Sequence, residues 1–128
     1  MPGTAGSEMD RIAQIVDDQR PWGGFRRYTL NEVSTVKLIT VNPGQSLSEQ
    51  RHRDREEMWV SLDAGLEVQI GETTDVAGVG DEFFIPKGET HRMSCPGSSP
   101  CRVLEIAFGE FDEDDIERLS DDYGRTAE

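Results

Sequence analysis

The stretch "PGQSLSEQRHRDREEMWV", Pro43 to Val60, decides the reading of this chain. It is dense in charge, yet it carries His52, one of only two histidines; the other, His91, stands in "FIPKGETHRM". Both segments read as strands running into turns. Gln50 and His52 are two apart, so on a strand they project to the same face. Glu57 follows at the start of "EMWVSL". Two imidazoles, a carboxylate and an amide oxygen converging inside a barrel make a divalent metal site. Nitrogen and oxygen donors without thiolate suit Zn, Mn, Fe, Co or Ni. With one negative ligand the ion stays net positive, a Lewis acid for a bound carbonyl or hydroxyl. Either histidine alone would read as a surface or satisfied core residue, but that account explains both together poorly.

Outward from this stretch the pattern is strand, turn, strand. "FRRYTL", "STVKLITV", "EMWVSL", "LEVQI", "DEFFIP" and "CRVLEIAF" are short and rich in Val, Ile and aromatics, and they are separated by turn signals such as "NPGQS", "GETTDVAG" and "CPGSSP". Such spacing predicts an all-β sandwich or barrel. Met9, Ile12, Ile15 and Val16 recur at helical spacing and predict a short amphipathic helix from Glu8 to Asp18, broken by "RPWGG". Asp112 is placed to cap a second brief helix in "FDEDDIERLSDDYGR", a role that accounts for the acidic run 112–115 without a calcium loop. The expected organisation is a tail and helix over residues 1–19 and one domain over 20–128.

Lys and Arg total 13 against 26 Asp and Glu, a net charge of −13. Nucleic acid and anionic membranes both need a basic face, so neither is an expected partner. No apolar run approaches the ~20 residues that span a bilayer, and the N-terminus lacks the pattern of a signal peptide. A cytoplasmic location is expected, with Cys95 and Cys101 as free thiols. Trp22 and Trp59 are expected to pack rather than to stack on sugar.

Gly44, Gln50, His52 and Glu57 together resemble the first cupin motif, with Gln in the place of its first histidine; Gly80, Pro86, Gly88 and His91 resemble the second. With "RPWGG", "KLITVNPGQSLSEQRH", "IPKGETHR" and "FDEDDIERLSDDYGR", the chain from Arg20 to Arg125 resembles the cupin domain of type II phosphomannose isomerases. That domain usually forms the C-terminal part of bifunctional mannose-1-phosphate guanylyltransferase/mannose-6-phosphate isomerases. The resemblance implies an all-β cupin barrel (a double-stranded β-helix, jelly-roll-like) and a metal held by Gln50, His52, Glu57 and His91. It further implies a homodimer and conversion of mannose 6-phosphate to fructose 6-phosphate, with a carboxylate or Lys37 carrying a proton between C1 and C2.

Lys37, Arg55 and Arg92 match basic positions of that family and are candidates for gripping a phosphate; for Arg55 a plain surface charge is an equal alternative. Leu104, Ile106 and Phe108 share one strand face, which puts Glu105 on the other with Val103 and Ala107. If that face is the lumen, Glu105 either transfers protons or pairs with a basic side chain. Asp54 and Met58 stand where the family has histidine, Ala64 where it has Gly, and Cys95 where it has Asn. Loss of two histidines at the mouth would change the charge of the pocket and its proton relays. A second reading therefore stands beside the isomerase: a non-catalytic module that binds metal and a sugar or sugar phosphate.

Overall fold

The computed structural model describes residues 11–120. Its strands are β1 (Val16–Arg20), β2 (Gly23–Arg27), β3 (Ser34–Val41), β4 (Glu49–Arg51), β5 (Glu56–Ser61) and β6 (Glu67–Ile70), then β7 (Thr73–Val76), β8 (Glu82–Ile85), β9 (His91–Ser94), β10 (Cys101–Phe108) and β11 (Glu117–Ser120). They fall into two compact units that divide between Val33 and Ser34.

In the first unit β1 and β2 pair antiparallel, with Arg20 opposite Gly23 across the Pro21–Trp22 turn. Here the helix expected over Glu8–Asp18 is corrected. Residues 8–10 lie outside the described residues, 11–13 are helical, and from Val16 the chain is strand. Pro21 presets a turn backbone and needs no N–H there. Residues 16–20 thereby gain a full ladder to 23–27 and a cross-strand ion pair, Asp17–Arg26 at 2.6 Å. A helix stopped so soon by "RPWGG" would be too short to offset its nucleation cost. Trp22, expected to pack, is 74% exposed at the tip.

The second unit is two antiparallel sheets face to face, in the orders β3-β10-β5-β8 and β11-β4-β9-β6-β7. Strand alternation sends Trp59, Ile85 and Val103 of one sheet and Val68 and Met93 of the other into a shared core, with Leu66 between. Six fully buried apolar side chains contribute about 1.5–3 kcal/mol each, which is what closes the barrel. Cys95 and Cys101 are buried free thiols in this core, their sulfurs 3.2 Å apart. The all-β reading holds, and two details change. "GETTDVAG", read as a turn, contains the edge strand β7, whose four residues are all exposed. The helix after Asp112 is a turn: Asp112 Oδ1 accepts from the Asp114 amide at 3.0 Å and the Asp112 carbonyl from the Asp115 amide at 3.1 Å. The chain then runs as β11 beside β4, because Ile116, Arg118 and Ser120 alternate as half-buried positions with exposed Glu117 and Leu119. Residues 121–125 of that segment lie outside the described residues. No helix among the described residues is long and apolar enough to cross a membrane.

Candidate metal centre

His52 leaves the end of β4, Glu57 is the second residue of β5, and His91 opens β9. Two backbone features bring them together. Gly88 donates its amide to the His52 carbonyl at 2.7 Å, and Gln50 is the register partner of His91. Gly88 has φ +78°, a left-handed turn conformation that a glycine adopts without strain. All three side chains are buried. One ligand atom from each lies within 4.8 Å of the others.

The hydrogen bonds fix which atoms are available. His52 Nδ1 donates to the Asp115 carbonyl at 2.6 Å and His91 Nδ1 to the Glu89 carbonyl at 3.0 Å. A carbonyl oxygen only accepts, so each proton sits on Nδ1 and each Nε2 keeps its lone pair. His52 Nε2 is 3.4 Å from Glu57 Oε2 and His91 Nε2 is 3.9 Å from Oε1. Two donors each ~2.1 Å from one ion stand roughly 3.0–3.4 Å apart, so the cluster needs only a small contraction to bind. Gln50 Nε2 points at the Ser48 carbonyl at 3.4 Å, which leaves its amide oxygen as the remaining donor.

Burial lowers the pKa of both imidazoles, His91 to about 4, despite the opposing pull of Glu57. Both are therefore neutral near pH 7 and able to ligate. Burial works against ionisation of Glu57 too, but the surrounding positive groups prevail and its pKa is lowered. With the imidazoles neutral, Arg55 is the charge that persists. Its Nε donates to Glu57 Oε2 at 2.9 Å while Trp59 Nε1 donates to Oε1 at 3.0 Å.

This cluster forms one wall of a cavity of about 720 Å³, within the usual range for a small-molecule site. Lys37, Arg55, Arg92 and Glu105 all line it. Glu105 does face the lumen. Its carboxyl is pushed up to about 7, by burial first and then by the charge of Glu57 and a hydrogen bond to it. Lys37 reaches over the Phe111 ring, 4.4 Å from its centroid. Arg55 is no surface charge, being buried, but its fork is already engaged. Beyond Glu57, it reaches the Asp112 carbonyl at 3.3 Å, and its Nη2 lies 3.0 and 2.9 Å from the two ring nitrogens of His52. An atom so near both nitrogens sits over the ring face, because Cε1 blocks the in-plane approach. Arg92 stands on the side of β9 away from His91 by alternation, and its Nε donates to the Leu47 carbonyl at 2.8 Å.

Residues 7–121 match the family described as mannose-6-phosphate isomerase C-terminal. The chain belongs to that family. Its relatives include the xanthan biosynthesis protein XanB of Xanthomonas campestris, 40% identical over 84% of this chain and 23% of the relative. The alginate biosynthesis protein AlgA of Pseudomonas aeruginosa is 39% identical over 85% of this chain and 23% of its own length. The mannose-1-phosphate guanylyltransferase ManC of Salmonella typhimurium is 38% identical over 83% and 22%. The chain thus spans under a quarter of these relatives. Among solved structures, the capsular polysaccharide assembling protein CapF of Staphylococcus aureus superimposes with a TM-score of 0.64 at 14% identity, over 83% of this chain and 34% of that one. A cupin 2 conserved barrel domain protein of Salinispora arenicola gives 0.56 at 21%, over 63% and 67%. These likenesses show the cupin fold.

The departures from the family fall outside the cavity. None of Asp54, Met58, Ala64 and Cys95 lines it. Met58 is on the face of β5 opposite Glu57 and Trp59, paired with Ile106 and Phe84. The sequence reading also passed over Phe111, Asp115 and Arg118. Arg118, the register partner of Gln50, lines the cavity from β11. The alternation in "IERLS" was the signal for it, hidden by the acidic run that suggested a helix.

Proposed function

We propose that this domain binds one divalent ion through Gln50, His52, Glu57 and His91 and isomerises a sugar phosphate, mannose 6-phosphate to fructose 6-phosphate. The observation that carries the reading is the pair of carbonyl-held imidazoles aiming bare Nε2 atoms at Glu57, in a cavity that also holds Glu105 at about 7. The bound ion would supply charge stabilisation to the oxygens at C1 and C2 of the sugar. Glu105, near half-ionised at neutral pH, takes a proton from C2 and returns it to C1 through an enediol, while a hydroxyl proton passes from O2 to O1. Four of the thirteen basic side chains, Lys37, Arg55, Arg92 and Arg118, line the cavity against four acids, whereas acids outnumber bases two to one in the whole chain. The cavity is thus balanced in charge where the chain as a whole is strongly acidic, and that relative enrichment in base favours an anionic substrate. Lys37 and Arg118 are better placed to hold its phosphate than Arg55, whose guanidinium donates to Glu57 and Asp112 and lies over the His52 ring.

The non-catalytic module was favoured by the Asp54 and Met58 departures, and neither touches the cavity. A homodimer in the cytoplasm belongs to the same proposal. Its support is the outer face of edge strand β3, where Val36 and Leu38 are 57% and 61% exposed; sedimentation at micromolar concentration tests it. Function is tested by a coupled assay on metal-loaded protein. Turnover of mannose 6-phosphate that falls 10²-fold or more in Glu105→Gln supports the isomerase. Saturable sugar-phosphate binding by calorimetry with no turnover hands the case to the binding module.

A further inference from the structure

We propose that Asp115, outside the ligand set, is the residue that positions His52 for metal binding, by clamping the chain beside it. The inference rests on the metal site proposed above. Three hydrogen bonds run from Asp115 to three successive residues, 52, 53 and 54. Its carbonyl accepts from His52 Nδ1 at 2.6 Å, its Oδ1 from the Arg53 amide at 2.8 Å, and its Oδ2 from the Asp54 amide at 2.9 Å.

Each bond has a separate consequence. The carbonyl fixes the His52 tautomer; without that acceptor the proton is free to move to Nε2, where it blocks the ligating lone pair. The carboxylate holds the carbonyl in place, because both its oxygens are satisfied by amides that belong to the same turn as His52. The turn follows β4 and belongs to no strand among the described residues; Gly88 holds the His52 carbonyl, and Asp115 holds the next two amides and the imidazole. What brings Asp115 there is β11: Arg118 pairs with Gln50 and Glu117 with Arg51, the latter also by an ion pair at 2.8 Å. A segment 63 residues away in sequence thereby sets the donor atom of a ligand. Asp suits this place better than its neighbours in chemistry. Asn would turn an amino group toward one of two N–H donors, and Ala would release both.

The test uses the full chain with Asp115→Ala, Asp115→Asn and a matched control, Asp63→Ala. The Asp63 carboxylate also accepts hydrogen bonds at both oxygens, three in all from Arg102 at 2.9, 2.9 and 3.1 Å, but does not line the cavity. Cobalt(II) titration should show Asp115→Ala binding about 10–100-fold more weakly than the parent chain, with Asp115→Asn between them and Asp63→Ala unchanged. In metal-free protein, long-range proton–nitrogen NMR should report a His52 proton on Nδ1 in the parent and in Asp63→Ala, and on both nitrogens in Asp115→Ala. Parent-like cobalt affinity and tautomer in Asp115→Ala overturn the proposal. So does equal weakening by Asp63→Ala, which would reduce the effect to general stability. If the parent itself binds no cobalt, the metal reading fails separately, and an Asp115-independent tautomer would then overturn this one too.

Discussion

Arg55 Nε stands 2.9 Å from Glu57 Oε2, and both side chains are buried. In the metal-free protein Arg55 is thus the permanent countercharge of Glu57, stacked over the face of His52. Removing one member of a buried pair leaves the other charged and uncompensated, at a cost of about 3–5 kcal/mol. Arg55→Met is expected to lower the urea stability of chelator-treated protein by that order. With cobalt added the loss should shrink, since the ion also neutralises Glu57. Equal stability of variant and parent without metal would show that Arg55 has no such role.

Metal content follows from the same geometry. Purified without a His tag, the protein should carry about one divalent ion per chain by elemental analysis. The double variant His52→Ala/His91→Ala should carry none, having lost both nitrogen donors. Gln50→Ala should bind more weakly but keep the ion, because the neutral amide oxygen is the weakest donor of the four. Full occupancy in the double variant would mean that the ion sits elsewhere.

Glu105 predicts the pH dependence of the metal-free fold. Its carboxyl is raised from 4.5 to about 7, chiefly by burial, so the folded chain holds its proton more tightly than the unfolded one. Stability from this group is therefore complete below about 4.5 and is lost as pH rises toward 7, on the order of 3 kcal/mol in all. Glu105→Gln cannot ionise and should flatten that decline. Urea midpoints from pH 4.5 to 8 in the presence of chelator measure it; parallel curves for parent and variant would contradict the assignment.

What could be read from sequence divides along local and non-local lines. The period-two runs of β3, β5, β6, β8 and β10 and the Pro/Gly turns are local signals, and they yielded the barrel. His52, Glu57 and His91 were legible as a set through the two cupin-like motifs, Gly44, Gln50, His52 and Glu57 in one and Gly80, Pro86, Gly88 and His91 in the other. β1 and β11 were not. Each lies where short apolar spacing or an acidic run suggests a helix, and each becomes strand only because a partner, β2 or β4, offers a ladder. The commitment of Arg55 and the carbonyls behind both imidazoles were invisible for a related reason. They depend on Asp112, Asp115 and Glu89, residues whose type carries no hint when the atom used is a backbone oxygen.

Met58 stands where the family carries histidine. If that histidine served the pocket, Met58→His should restore something: tighter cobalt binding or faster turnover. The barrel predicts otherwise. Position 58 alternates away from Glu57 and Trp59 and lies 3% exposed on the outer side of β5, opposite Ile106 on β10 and Phe84 on β8. Both register partners are apolar side chains, so burying a polar ring there in place of a thioether is expected to cost about 1–3 kcal/mol. The variant should show a lower urea midpoint, with cobalt affinity and mannose 6-phosphate kinetics at parental values. A gain in either would mean that residue 58 reaches the site, and would restore weight to the reading of this domain as a module that lost catalysis with its histidines.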